Sequence, residues 1–147
     1  VIRQGLESAA NVRGRMCSVP GASGALIIDD AYNANPSSMR AAIDALRSIP
    51  KYKRRVLVFG DMLELGVGAE EFHREVAQYA RQQGIDLLFT FGQLASVCAD
   101  AFGDGGLHCS SHEDLLEQLN RTLDKDSVVL IKGSNSLGLQ RVADALI

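Results

Sequence analysis

Short apolar runs alternate with amphipathic helical segments along most of this 147-residue chain. Such runs have the length and the bounding turn residues of buried strands, and they lie at 24–30 (GALIIDD), 55–59 (RVLVF), 86–91 (DLLFTF) and 127–131 (SVVLI). Between them, apolar residues recur at intervals of three and four, as they do on one face of a helix. This alternation predicts a doubly wound α/β fold, in which helices cover both faces of a mostly parallel sheet.

Capping residues mark where several helices begin. Asn35 followed by Pro36 is a strong helix start, and Ser111 with Asp114 three residues later resembles a capping box. Further helices are expected at 69–83, 93–102 and 139–146, with a brief strand at 107–109 and an antiparallel edge strand at 16–19.

The bulk composition restricts the classes of function. A length of 147 residues fits one domain, 1–147. Its residues 1–12 are helix-compatible and are expected to be the tail of a connection from an earlier domain. The chain opens with Val1 and not with Met, so a processed product or a piece of a longer protein is expected. The net charge of -3 gives no basic surface for nucleic acid. No apolar run approaches the roughly 18 residues of a membrane helix, so membrane insertion is not expected.

The three cysteines, Cys17, Cys98 and Cys109, have neither CxxC nor Cys/His spacing. This pattern argues against a disulfide framework and a zinc site, and it favours the reducing cytoplasm as the location. Each cysteine is predicted to be a small buried hydrophobic residue.

Polar loops follow the predicted strands, at the edge where parallel sheets bind their ligands. In the loop at 29–36 (DDAYNANP), carboxylates can accept from ribose hydroxyls, carboxamides can contact an adenine edge, and a Tyr ring can stack on a base. The alternative is structural, with Asn35 capping a helix and one Asp closing a turn. Asn35 could do both.

Two further loops carry candidate ligands. In GDMLELG at 60–66, Asp61 and Glu64 suit a substrate ammonium or the orientation of a Lys or Arg, and the alternative is a solvated turn with Met62 and Leu65 in the core. In KGSNS at 132–136, backbone N–H groups, hydroxyls and one Lys predict an anion site at a helix start.

Several common motifs are absent from the sequence. Neither a GxxxxGK[ST] phosphate loop nor a GxGxxG motif after a strand occurs. No third acidic residue or His accompanies Asp29 and Asp30, and His108 and His112 straddle a predicted turn, so no metal site is expected. His73 is predicted to be a surface or core residue and not a catalyst.

Together, DDAYNANPSSMRAAIDAL, VLVFGDMLELG and IKGSNS, preceded by Gly14-Arg15, resemble the C-terminal domain of the Mur ligase family. The resemblance extends from about Asn11 to the end of the chain. Within the family, the motifs are similar to those of the branch that adds D-alanyl-D-alanine to UDP-N-acetylmuramoyl-tripeptide. It implies a monomeric, cytoplasmic enzyme of peptidoglycan synthesis with a Rossmann-like C-terminal domain. The UDP-sugar and ATPase domains would lie outside this sequence. ATP would form an acyl phosphate on the tripeptide, with Mg²⁺ held mainly by the ATPase domain.

The resemblance also implies roles for individual residues. Arg15 would reach toward ATP phosphate and Asp30 toward ribose, with Tyr32, Asn33 and Asn35 on the nucleotide side. The residues implied to face the dipeptide or the peptide acceptor are Asp61, Glu64, Lys132, Ser134 and Asn135. No catalytic residue is expected in this chain. Family members often carry Arg where this chain has Asn135, which weakens a carboxylate-holding role for that loop.

Two other classes of function stay open at this point. The chain could be a non-catalytic nucleotide- or effector-binding module, or an interaction domain whose polar loops contact a partner protein. For the ligase interpretation, Asp30 is expected to lie at a loop mouth, where its replacement would alter ATP binding and change folding little.

Overall fold

The computed structural model describes residues 17–31 and 34–147. Its strands are β1 (Cys17–Pro20), β2 (Leu26–Asp29), β3 (Arg54–Gly60), β4 (Leu87–Phe91), β5 (Gly106–Cys109) and β6 (Ser127–Lys132). They form a single sheet in the order β1-β2-β6-β3-β4-β5. All neighbours are parallel except β1 and β2, which are antiparallel. The predicted mostly parallel sheet and its antiparallel edge strand are therefore confirmed.

The helices are α1 (Pro36–Ser48), α2 (Ala69–Gln82), α3 (Ser96–Phe102), α4 (His112–Thr122) and α5 (Leu139–Leu146), with a 3-10 turn at Asn135–Leu137. The first three pack on one face of the sheet, and α4 and α5 pack on the other. Among the described residues the fold is thus doubly wound, as the alternation of runs predicts. No helix in the described ranges is long and apolar enough to cross a bilayer.

Strand β6 lies in the middle of the sheet, and all six of its residues are buried. Val128 and Leu130 belong to the core beneath α1–α3, whereas Val129 and Ile131 belong to the core beneath α4 and α5. Successive side chains of a strand point to opposite faces. A continuous apolar run is therefore what a strand between two helical layers requires.

Local hydrogen bonds explain the helix starts that the sequence predicts. The Asn35 side chain accepts from the Ser38 N–H at 2.8 Å, and the Ser38 hydroxyl accepts from the Asn35 N–H at 3.0 Å. At α4, the Ser111 hydroxyl accepts from the Asp114 N–H at 3.0 Å, while the Asp114 carboxylate accepts from the N–H of Ser110 at 3.2 Å. Both caps are confirmed, with the second box displaced by one residue.

One predicted helix begins later than the sequence pattern indicates. The pattern places its start at residue 93, but α3 begins at Ser96. Gly92 has φ 109°, and the Asp61 carboxylate accepts from the N–H of Ala95 at 2.6 Å. A carboxylate from another loop therefore supplies the polar partner at this start, a contact that local periodicity cannot reveal.

The thiols of Cys98 and Cys109 are free and buried. Burial raises the pKa of the Cys98 thiol well above its usual range and that of Cys109 to about 11. Both therefore behave as the small hydrophobic residues that the sequence predicts. The side chain of Cys17 lies outside the described part.

A contact between two glycines brings the loops after β3 and β6 together. A Cβ atom on Gly133 would lie 2.8 Å from the Cα atom of Gly60 and 2.8 Å from Cδ1 of Leu139. Real Cβ atoms do not approach other atoms this closely, so the loops can pass only because neither residue has a side chain.

We expect Gly133→Ala to lower the free energy of unfolding by about 1–3 kcal/mol, because the added methyl group overpacks a filled site. Chemical denaturation of the chain, followed by circular dichroism, measures this. Ser136→Ala, an exposed change in the same loop, is the control and should have little effect. Equal stability of Gly133→Ala and the unmodified chain would contradict the close contact.

Candidate functional site

A buried ion pair joins the ends of β2 and β6. The register pairs Asp29 with Ile131, and the N–H of Asp30 donates to the Ile131 carbonyl at 2.9 Å. Asp30 therefore lies beside Lys132, whose Nζ is 2.8 Å from Asp30 Oδ2. The side chains are only 13% and 6% exposed. The register thus pairs two charged residues that lie 102 positions apart.

This pairing corrects two expectations. Asp30 does not lie free at a loop mouth, because its carboxylate is buried against a cation, and its replacement is expected to affect folding. Lys132 is 4% exposed and its ammonium donates to Asp30, so it is not the exposed cation expected for an anion site, and its contact with the dipeptide stays a prediction. Both side chains still lie at the carboxyl edge of the sheet, where the motifs place them.

Asp61 connects three loops at this edge. Its carbonyl accepts from the Ser134 N–H at 2.9 Å, and its carboxylate accepts from the Ala95 N–H at 2.6 Å. Asp61 is only 5% exposed, so it is not part of a solvated turn. The same alternative correctly places Met62 in the core, with Leu65 packed against it. Asp61 therefore links the loops, and its contact with a substrate ammonium stays a prediction.

The predicted anion site at 132–136 does not have the expected geometry. The N–H of Ser134 is used by Asp61, and the ammonium of Lys132 is used by Asp30. The loop continues into the 3-10 turn Asn135–Leu137, so it does not lead directly into α5. Two of the donors on which the prediction depends are therefore engaged within the protein.

An open cleft of about 540 Å³ lies between the loops that follow β2, β3 and β6. It brings together four of the predicted site residues, Asn35, Glu64, Ser134 and Asn135. Its other lining residues, which are not among the predicted site residues, are Ala34, Leu63, Leu65 and Ser136. In the sequence, the feature that could have indicated this lining is Leu63-Glu64-Leu65, where a charged residue lies between two apolar residues in a loop.

Glu64 is the one charged side chain that lines this cleft within the described residues. Its φ is 61°, in the left-handed region that residues other than Gly seldom adopt. Such a conformation costs on the order of 1 kcal/mol and persists where the surroundings impose it, often at a functional site. The backbone of Glu64 is thus held in an unfavourable conformation, and its exposed side chain lies at the cleft wall.

The remaining predicted residues cannot be compared with the structure. Arg15, Tyr32 and Asn33 lie outside the described residues. In residues 17–31 and 34–147, no group of three or more His, Cys, Asp or Glu side chains is arranged to hold a metal ion. His73 is fully buried, which confirms the core alternative for that residue.

Replacing Lys132 by Met should lower the free energy of unfolding by about 3 kcal/mol or more, because it leaves the Asp30 carboxylate buried without its cation. Adding Asp30→Asn removes that charge, so the double variant should be more stable than the sum of the single effects predicts. Denaturation of the four proteins measures this coupling. Additive effects would show that the pair contributes nothing to stability.

Comparison with known proteins identifies the family. The sequence profile of "Mur ligase, glutamate ligase domain" matches residues 14–135. The UDP-N-acetylmuramoyl-tripeptide–D-alanyl-D-alanine ligase of Bacillus subtilis is 38% identical over 130 residues, which are 85% of this chain and 28% of that protein. The enzyme of that name from Escherichia coli is 37% identical over 147 residues, 99% of this chain and 32% of that protein.

Solved structures agree with the sequence comparison. The MurF ligase of Thermotoga maritima, in complex with ADP, superposes with a TM-score of 0.77 at 30% identity, covering 92% of this chain and 31% of that one. A MurF structure from Acinetobacter baumannii also gives 0.77, at 27% identity, covering 92% of this chain and 30% of that one. This chain therefore spans about a third of the length of these relatives. From fold, motifs and comparisons together, the chain belongs to the Mur ligase family.

Proposed function

We propose that this chain is the C-terminal domain of an ATP-dependent ligase that joins D-alanyl-D-alanine to UDP-N-acetylmuramoyl-tripeptide, and that its cleft receives the dipeptide. The observation that carries the proposal is the strained, exposed Glu64 carboxylate in the lining of the cleft. A single negative charge in an otherwise neutral lining favours a ligand with an ammonium group. The dipeptide carries such a group at its reacting end.

The other lining residues suit the rest of a small dipeptide. Ala34, Leu63 and Leu65 offer apolar contact for its methyl groups, and Leu63 is 39% exposed and thus accessible. Ser134, Asn135 and Ser136 offer hydroxyl and carboxamide groups for its amide and carboxylate. Asn135 is neutral where family members often have Arg, so it would hold a carboxylate by hydrogen bonds alone.

In the proposed reaction, the tripeptide carboxylate attacks the γ-phosphorus of ATP, and ADP leaves. The dipeptide ammonium loses one proton to water, and the resulting amine attacks the acyl carbon. The phosphate leaves and the nitrogen loses a second proton, which completes the amide bond. The described residues contribute binding and orientation of the amine. Orientation alone can supply a large part of the rate, because it turns a bimolecular step into one within a complex.

The nucleotide would lie near the loop after β2, with Arg15 toward the phosphates, Tyr32, Asn33 and Asn35 on the base side, and Asp30 toward ribose. The Asn35 oxygen already caps α1, so its amide nitrogen is the group left for a nucleotide. The Asp30 carboxylate is shared with Lys132. Mg²⁺, which offsets phosphate charge, is assigned to the ATPase domain, because the described residues offer no cluster of ligands for it.

The other two domains and the cellular location belong to the same proposal. A UDP-sugar domain and an ATPase domain would supply the two thirds of the relatives' length that this chain does not span. The proposed enzyme is a monomer in the cytoplasm, and the free thiols of Cys98 and Cys109 fit a reducing compartment.

We expect a chimaera, in which this chain replaces the matching third of the Escherichia coli relative, to ligate D-alanyl-D-alanine with release of phosphate. The 147-residue chain alone should hydrolyse no ATP, because its sequence contains no phosphate loop. Coupled phosphate release and mass spectrometry of the product measure both. A folded chimaera without ligation, or ATP hydrolysis proportional to the amount of the pure chain, would contradict the proposal. Tight effector binding by the inactive chain would favour a non-catalytic module.

In that chimaera, Glu64→Gln should raise the KM for D-alanyl-D-alanine about three- to tenfold, because it removes a partly solvated charge–charge contact. The KM for ATP should not change. Glu75→Gln alters an exposed carboxylate that does not line the cleft, and it is the matched control. Equal dipeptide KM values for the two variants would remove Glu64 from the binding site.

A further inference from the structure

The buried His73 ring connects the two ends of the loop that carries Glu64. Its Nε2 lies 2.9 Å from the N–H nitrogen of Met62, and its Nδ1 lies 2.7 Å from the Ala69 carbonyl oxygen. Met62 is the second residue after β3, and Ala69 is the first residue of α2. The ring also stacks on Phe59, with centroids 5.6 Å apart and an angle of 16° between the planes.

These two contacts define the protonation of the ring. A backbone N–H can only donate and a carbonyl can only accept, so Nε2 must accept and Nδ1 must carry the proton. Both bonds exist together only in the neutral Nδ1–H tautomer. His73 is fully buried, so loss of either bond would leave a polar group without water to replace its partner.

The loop between these contacts needs external support. Glu64 has its φ of 61° two residues after Met62, and a strained residue keeps its conformation only where neighbouring contacts impose it. Asp61 is fixed on one side by Ser134 and Ala95. His73 fixes the next residue, Met62, and ties it to the start of α2.

We propose that His73 is a positioning residue for the cleft, since its Nε2 holds Met62 and so places Leu63 and Glu64 in the cleft wall. His73 does not line the cleft itself. What the cleft binds rests on the proposed function above, whereas the role of the ring in holding the loop does not depend on it.

Two substitutions separate this role from simple core packing. In His73→Gln the carboxamide oxygen can take the place of Nε2 and accept from Met62. In His73→Asn the carboxamide nitrogen can take the place of Nδ1 and donate to Ala69. Both variants lose the stacking on Phe59, and the Asn side chain is shorter than Gln by one methylene group. They differ in whether the Met62 N–H keeps an acceptor.

The first measurement uses NMR on the 147-residue chain. The imidazole ¹⁵N shifts of the unmodified chain should report the Nδ1–H tautomer. Amide exchange at Met62 should be about tenfold or more faster in His73→Asn than in His73→Gln, because exchange follows local opening. The Nε2–H tautomer, or equal exchange in the two variants, would overturn the proposal. The tautomer of the unmodified chain tests the proposed bond between His73 and Met62 even where a variant fails to fold.

The second measurement uses the active chimaera. The KM for D-alanyl-D-alanine should rise about two- to tenfold in His73→Asn and stay near the parent value in His73→Gln, with kcat similar in both. An equal rise in both variants would mean that packing, not the bond to Met62, sets the cleft. A folded parent chimaera without activity would overturn the proposed function instead, and the exchange comparison would still decide the role of His73.

Discussion

The register of β6 between β2 and β3 is the constraint on which the rest of the site depends. Pairing with β2 places Lys132 beside Asp30, and pairing with β3 places Gly133 beside Gly60. Lys132 and Asp30 form a buried charge pair, and the backbones of Gly133 and Gly60 come too close for a side chain on either residue. A shift of one residue would turn every apolar side chain of β6 to the other face. The two cores therefore fix the register, and the register fixes the loops.

Several polar residues at this edge support the loops and do not lie in the cleft. Asp61 accepts from Ala95 through its carboxylate and from Ser134 through its carbonyl, and Lys132 neutralises Asp30. These bonds join segments far apart in sequence. They also satisfy buried polar groups, each of which requires a partner. They leave Glu64, in a strained conformation, as the exposed charge of the cleft lining. Rigid support of this kind lets a small site hold a ligand in one orientation.

The accuracy of the sequence predictions follows the range of the interaction concerned. The starts of α1 and α4 depend on contacts within four residues, and both were predicted. The start of α3 depends on Asp61, 34 residues before Ala95, and was predicted three residues too early. Asp30 and Lys132 were assigned to two different ligands because the sequence does not state that β2 and β6 are neighbours.

The sequence by itself determined the α/β layers, the helix caps, the family and the edge of the sheet at which the polar loops lie. These follow from apolar periodicity, local hydrogen bonds and motif identity, which residues close in sequence can encode. Only the tertiary structure decided that Asp30 meets Lys132, that Asp61 supports the loops, and that His73 bridges Met62 and Ala69. The reason is that the order of the strands and the paths of the loops bring distant residues together. The periodicity of apolar residues carries no information about which strands are neighbours in the sheet.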